Sequence, residues 1–418
     1  MTGLPSSAPP TRAFNWHAPR YLGIAGLLLS LAAEAGCVRP ASHSAIEVAM
    51  TSAYRPASDA PTIGNAFHLP GGDVVLAGDM HCHVSPPDHP QEASRGPEET
   101  VRLAREEKLD FVVLTPHVPA LFFEDAGMRE AVVAAQNELK RAVGAASDGR
   151  TIFIAGMEYT DHAYGHVGAS FADLATVLAE VPAEEAHAHP GRFFERFVAN
   201  GGVLVINHPL SVPIDSSFAM ARADLSWRPF TSPDPVPEEI ATVTRLAQGF
   251  EVYNMVVTHL RDRYLLHDTE RTLVATLARE DAEIVRQGRR IAPVGGTDSH
   301  VSYLRPTTYV RASARTERAI RDAIVGGRTC VRAPEACSFE VRATGAAWNG
   351  VGASLPATAT IEARATGGDV EVLVNGRTAA SVGTGEIASV TMNTGSCSVV
   401  RARVGEGYSA PIYVGCSF

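Results

Sequence analysis

The chain predicts an α/β barrel of the TIM-like kind followed by a small all-β domain. Three observations predict it: short apolar runs that each end in His, Glu or Asp, helical stretches between those runs, and a change after Pro334 to alternating Thr, Val, Ala and Gly. Apolar runs bounded by turn residues and alternating with helical patterns mark repeated β-α units on a parallel sheet. In a barrel of such units, functional groups gather at the carboxyl ends of the strands.

The first element stands outside the fold. Arg12 and Arg20 precede an apolar run from Tyr21 to Ala33, which closes on Ala33-Glu34-Ala35-Gly36-Cys37. A basic segment, a short apolar core and an Ala-x-Ala site describe an export leader over residues 1–37. The run falls short of the roughly 20 residues that span a bilayer. The expected protein is exported, and is either released (periplasmic or secreted) or held as a lipoprotein through an acylated Cys37. Glu34 stands where a lipobox prefers an aliphatic residue, which leaves both routes open. Residues 38–70 read as a Ser/Ala/Pro-rich linker.

The first strand ends in Gly78-Asp79-Met80-His81-Cys82-His83. Side chains at i and i+2 of a strand point the same way, so His81 and His83 form a chelating pair that Asp79 can join or support. Cys82 points away from them and reads as a buried thiol. Further strand ends follow: Leu109–Leu114 before His117, Thr151–Ala155 before Glu158, Gly202–Asn207 before His208, and Ile291–Thr297 before Asp298 and His300. Helices are expected over Pro97–Leu109, Met128–Ala146, Gly191–Asn200, Arg261–Gln287 and Thr316–Gly326. Pro97 with Glu98 and Glu99 suits a helix start, and Gly201-Gly202 a stop. His187 and His189 read as loop residues; His259 and His267 read as surface groups.

These residues, in this order, resemble the polymerase and histidinol phosphatase (PHP) family. The resemblance runs from about Asp73 to Val331 and rests on the His-x-His opening, His117, Gly156-Met157-Glu158, Gly165-His166-Val167-Gly168, Asn207-His208-Pro209, Gly249-Phe250-Glu251-Val252-Tyr253-Asn254 and Asp298-Ser299-His300. It implies a distorted seven-stranded β/α barrel over residues 71–333 with two or three divalent ions at its mouth. It further implies that His81, His83, Glu158 and Asp298 hold one metal, that Glu158 bridges to a second held by His166 and His208, and that a third lies near Asp88, His117 and His300. Pro87-Asp88-His89 and Thr115-Pro116-His117 depart from the family's Ser-Asp-Gly and Thr-Asp-His, so either Asp88 or His89 is the third-metal ligand, with Asp88 preferred. Thr160-Asp161-His162 reads as a loop lining the site. Zinc, manganese and iron all suit mixed imidazole and carboxylate ligands.

The implied activity is metal-dependent hydrolysis, with a metal-bridging hydroxide as nucleophile, Asp298 taking up the proton, and His300 or the third metal assisting the leaving oxygen. A phosphoester is the preferred small-molecule substrate. A carbamate or carboxylic ester is the alternative, suggested by a looser likeness to the family's aryl-carbamate-hydrolase branch, in which a β-domain follows the barrel. A reading of another class is a metal-stabilised surface binding protein. No Gly-x-Ser-x-Gly elbow or phosphate-cradling glycine loop offers a competing chemistry.

Substrate contacts are expected from two sources. Arg305, Arg311 and Arg328, near late barrel elements, could grip a phosphate or carboxylate or could form surface salt bridges. The long connection Leu210–Pro237 reads as a lid, with Trp227 or Phe230 against the substrate, or as a loop packed on the β-domain.

Residues 334–418 read as a β-sandwich-like domain, with Asn375-Gly376 as a hairpin turn. Cys330, Cys337, Cys397 and Cys416 allow three disulfide pairings; Cys330 with Cys337 and Cys397 with Cys416 is preferred. The formal charge of −10, without like-charge blocks, argues against nucleic acid as the principal partner. The oligomeric state is left open.

Overall fold

The computed structural model describes residues 67–69, 72–90, 93–161, 163–210, 226–255 and 269–418 of the chain. The leader, most of the linker, Cys37, His162, residues 211–225 of the long connection, His259 and His267 lie outside them. No helix among the described residues is long and apolar enough to cross a membrane.

The fold is mixed α/β, with one large mixed sheet, helices packed on it and a separate four-stranded sheet. The first eleven strands are β1 Phe67–His68, β2 Val74–Cys82, β3 Phe111–Leu114, β4 His117–Pro119, β5 Ile152–Asp161, β6 Gly165–Ser170, β7 Val203–Ile206, β8 Gly249–Asn254, β9 Ala292–Gly296, β10 Thr308–Ala312 and β11 Thr329–Val331. Parallel ladders join β2 to β3, β3 to β5, β7 to β8 and β8 to β9. β6 runs antiparallel to both β5 and β7. This reversal departs from a uniformly parallel barrel: the turn between β5 and β6 is too short for a helical crossover, and Gly165, at φ 109°, turns the chain back.

Hydrogen-bonded closure is also incomplete. Among the described residues no ladder joins β9 to β2. The seam is bridged by an isolated parallel pair, Cys82 with Ser299, and by Asp298 N–H donating to His81 O at 2.7 Å and His83 N–H to Ser299 O at 3.0 Å. β10 then lies antiparallel on β2.

The helices start where local chemistry directs. Pro97 and two glutamates open Pro97–Glu106. Asp125 and Thr316 accept backbone N–H groups at the starts of Ala126–Ala146 and Glu317–Val325. Pro190–Ala199 also begins with proline, and Thr269–Gln287 closes the fourth expected helical region. Leu174–Glu180, Ala183–Ala188, Arg228–Thr231 and Glu238–Leu246 form in stretches the sequence left as connections. On one side of the sheet Leu76, Phe111, Val113, Val203 and Val294 pack with Ile320 and Ile324 of the Glu317–Val325 helix.

The C-terminal strands are β12 Glu340–Ala343, β13 Asn349–Gly350, β14 Ser354–Leu355, β15 Thr360–Arg364, β16 Val370–Val374, β17 Arg377–Val382, β18 Ala388–Thr391, β19 Ser398–Val404, β20 Gly407–Ser409 and β21 Ile412–Val414. β13, β12, β15 and β18 make the separate sheet; the others join the large sheet through the β11–β20 ladder. Asn375, at φ 49°, and Gly376 form the turn between β16 and β17. Disulfides join Cys330 to Cys337 and Cys397 to Cys416. Arg401 of β19 is buried against Glu280 and Asp281 of the Thr269–Gln287 helix, 2.6 Å from an oxygen of each, which ties these strands to the α/β unit.

Candidate metal centre

The ends of β2, β7 and β9 and the starts of β4 and β6 converge on Glu158, which lies within β5 rather than after it. Its Oε1 lies 3.2 Å from His81 Nε2, 3.2 Å from His166 Nδ1 and 3.5 Å from His208 Nε2. Its Oε2 lies 3.6 Å from both His83 Nε2 and His117 Nε2. Asp298 Oδ1 stands 3.2 Å from His83 Nε2 and 3.4 Å from His81 Nε2. Three overlapping groups of potential ligand atoms result: His81, His83 and Glu158; Glu158, His166 and His208; and His83, His117 and His300.

The outer partners show that these imidazoles suit a metal. Glu251 Oε1 faces His81 Nδ1 at 3.0 Å, and Asp88 faces His83 Nδ1 at 3.0 Å and His117 Nδ1 at 3.1 Å. An ionised carboxylate can only accept, so each Nδ1 carries a proton, and in the neutral ring Nε2 then presents a lone pair. With both rings neutral, His81 Nε2 and His83 Nε2, 3.2 Å apart, form a pair able to chelate. Carboxylates behind ligating imidazoles are the usual support of a metal site.

The charge balance agrees. Asp79, Asp88, Glu158, Glu251 and Asp298 are all buried here, and such a concentration of carboxylates calls for positive charge. Without cations the histidines supply it: burial pulls His81 down, but Asp298, Glu158 and Glu251 outweigh it and hold His81 well above its usual range. His117 is likewise raised to about 9 against burial, by Asp88 and Glu158. Burial would raise Glu158 and Asp298, yet neighbouring histidines keep both well below the usual carboxylate range. Burial and His83 pull His300 down to about 4. Burial also lowers His166, whereas Glu158 raises His208 despite burial.

Two of the non-glycine residues with positive φ fall here, His208 at 30° and Asp298 at 52°. Asp79, pushed up to about 6 by burial, accepts from the backbone N–H of His81 at 3.1 Å and of Thr297 at 2.9 Å, and so fixes the two ligand-bearing ends against each other. Asn207 Nδ2 donates to Glu158 Oε1 at 2.9 Å. Asn254 Nδ2 donates to Glu251 Oε2 at 3.0 Å and to Asp298 Oδ2 at 3.1 Å. Glu251, Asn207 and Asn254 lie in motifs quoted for the resemblance but were given no role from the sequence; Asn207 and Asn254 stand at or beside the ends of β7 and β8, the signal that pointed to His208, and Glu251 lies within β8.

The structure gathers His81, His83, His117, Glu158, His166, His208, Asp298 and His300 into this cluster. Asp88 is placed differently from the expected third-metal ligand: both its oxygens face the Nδ1 atoms of His83 and His117, and it also accepts the His117 backbone N–H at 2.7 Å. It orients ligands. His117 and His300, with side chains 25 % and 32 % exposed, form the open rim.

The expected substrate contacts are placed elsewhere. Trp227 is fully buried in the core, its indole N–H donating to Thr244 Oγ1 at 2.9 Å, because the hydrophobic ring is worth more inside than against water. Phe230 packs on Phe250, with ring centroids 5.2 Å apart, beneath Arg279. Arg305 pairs with Glu107. Arg311 pairs with Asp73 at 2.8 Å and lies in register with Val75, six residues before His81 and so roughly 20 Å along β2.

No family model matches the chain, and no curated protein matches it. Among solved structures it is similar to a two-domain protein from Bacteroides vulgatus described as containing a predicted PHP-like metal-dependent phosphoesterase, at 18 % identity over 83 % of this chain and 98 % of that one, with a TM-score of 0.42. It is similar to PsfC from Pseudomonas syringae at 16 % identity over 60 % of this chain and 88 % of that one, TM-score 0.34. It is also similar to the lesion-specific endonuclease EndoQ from Pyrococcus furiosus at 13 % identity over 64 % and 62 %, TM-score 0.31. Likenesses this distant do not assign the chain to a family.

Proposed function

We propose that the chain is a PHP-like metal-dependent hydrolase of small-molecule esters, with phosphoesters preferred over carbamates and carboxylic esters. The observation that carries this reading is Glu158, whose carboxylate lies within 3.6 Å of His81 and His83 on one side and of His166 and His208 on the other and so could serve both groups. His81, His83, Glu158 and Asp298 would hold one ion, Glu158, His166 and His208 a second, and His117 and His300 at the rim a third. Zinc, manganese or iron fits such donors. When bound, such ions lower the pKa of water and polarise a phosphoryl or carbonyl oxygen.

The chain's own groups would do the rest. Asp298 is ionised and its Oδ1 accepts, so it can take up a proton released beside His81 and His83. His300 is neutral near pH 7 and its Nδ1 donates to Asp298 O at 2.9 Å. Its Nε2 is then an acceptor at the open rim, where it would either hold the third ion or, without that ion, relay a proton to a leaving group. A third ligand group on the exposed side favours phosphoryl transfer, where attacking and leaving oxygens both gain from nearby cations.

The test is hydrolysis of p-nitrophenyl phosphate, bis(p-nitrophenyl) phosphate, p-nitrophenyl acetate and p-nitrophenyl N-methylcarbamate by the full chain reconstituted with Zn²⁺ or Mn²⁺. Preference for the phosphates supports the proposal. Preference for the carbamate or acetate moves the assignment to the carboxylic-ester alternative, and no turnover by metal-loaded protein favours a binding role.

A further inference from the structure

We propose that Arg95 is a positioning residue of the metal centre, which locks His83 to the Asp298–His300 segment across the seam where the sheet has no ladder. This rests on reading the cluster as a metal centre. Arg95 is fully buried between the first ligand loop and the Pro97–Glu106 helix. Its Nη2 donates to His83 O at 2.8 Å and Ser299 O at 3.3 Å. Its Nη1 donates to Val301 O at 2.5 Å, Tyr303 O at 2.8 Å and Ser299 Oγ at 3.1 Å. Nε donates to Thr100 Oγ1 at 2.9 Å.

An arginine stays charged in a protein interior, and burying it is costly unless every donor is matched. Among the described residues no carboxylate pairs with Arg95. Main-chain carbonyls and two hydroxyls take that place, and those acceptors belong to both sides of one seam. The backbone around Arg95 reinforces the link, since Ser85 N–H donates to Arg95 O at 2.8 Å and Ser94 N–H to His300 O at 2.9 Å. The rings carried by the two sides, His83 and His300, stack with centroids 3.9 Å apart and 17° between planes. Together with His117 they make the rim ligand group. A guanidinium presents five N–H donors in a fixed planar fork to these acceptors, whereas a lysine ammonium offers three and leaves some of them unmatched.

The experiment is calorimetric titration of the full chain with Zn²⁺ for wild type, Arg95→Lys, His117→Ala and the double variant. Arg95→Lys should weaken the sites that depend on His83, Asp298 and His300 by about tenfold or more, the size usual for loss of a ligand-orienting partner, and leave the Glu158, His166 and His208 site unchanged. In the His117→Ala background, which already lacks the rim group, it should still weaken the site of His83 and Asp298 alone. Should Arg95→Lys not fold, Thr100→Val serves in its place and should weaken the same sites by a smaller factor. Unchanged Zn²⁺ binding in these variants, or an equal weakening of every site in both backgrounds, would overturn the role of Arg95. Absence of Zn²⁺ binding by wild type would instead overturn the metal-centre reading on which it rests.

Discussion

Glu251 and His81 are joined by a 3.0 Å contact from Oε1 to Nδ1, while the other oxygen of Glu251 accepts the backbone N–H of His208 at 2.7 Å. One carboxylate thereby sets a ring on β2 and a backbone just past β7. Glu251→Gln keeps the shape but removes the charge that fixes the Nδ1 proton. It should lower Zn²⁺ affinity by about 10- to 100-fold, read by competition with a chromogenic chelator. Wild-type affinity would show that Glu251 does not orient His81.

Asp298 combines an αL backbone with a carboxylate that faces His81 and His83. Asn tolerates αL, so Asp298→Asn tests the side chain without adding backbone strain. Turnover of the best ester substrate should fall by at least about 100-fold, as expected when a proton acceptor is lost, with circular dichroism unchanged. An active, metal-replete Asp298→Asn protein would remove Asp298 from the chemistry.

Much of this site was legible because β-strands have a period of two and barrel-like sheets collect function at one edge. Those rules brought His81, His83, His117, Glu158, His208, Asp298 and His300 together from positions far apart in sequence. Asp88 was legible as a participant but not in its role: which way a carboxylate faces in a Pro-rich loop depends on tertiary contacts. Trp227 misled because a long polar connection suggested a lid, whereas its ring packs in the core and its N–H found Thr244. Arg95 left no local pattern at all, since its partners are main-chain carbonyls, which every residue carries. In the fold, β6 ran against the expected parallel order because Gly165 follows β5 too closely for a crossover.

Gly296 closes β9 directly against the first ligand. A Cβ there would overlap His81 Cβ and Glu251 Oε1, both held by packing and hydrogen bonds. Gly296→Ala should therefore displace His81 and lower metal content by at least one equivalent per chain, measured by elemental analysis. Full metal content would show that the pocket relaxes around the added methyl group.

Glu280 makes stability depend on pH away from the metal centre. Burial pushes Glu280 up to about 8 against the pull of Arg401, with Asp281 adding to the rise. Between its ordinary 4.5 and about 8 the folded chain keeps a proton that the unfolded chain has released. Its contribution is thus fully present below pH 4.5 and is lost as pH rises through 8. The slope from this one group is at most about 1.4 kcal/mol per pH unit. Denaturant midpoints measured from pH 5 to 8 should fall for wild type and flatten for Glu280→Gln; parallel curves would remove Glu280 as the cause.

Stoichiometric metal binding, compared between wild type and Glu158→Gln, bears most directly on the bridging cluster. Elemental analysis after Zn²⁺ or Mn²⁺ loading and desalting of the full chain should give two or three ions for wild type. Glu158→Gln should retain at most one, because the bridge serves two sites at once. Wild-type protein that retains no ion, or a Glu158→Gln variant that retains the full complement, would mean that these histidines and carboxylates do not form the proposed centre.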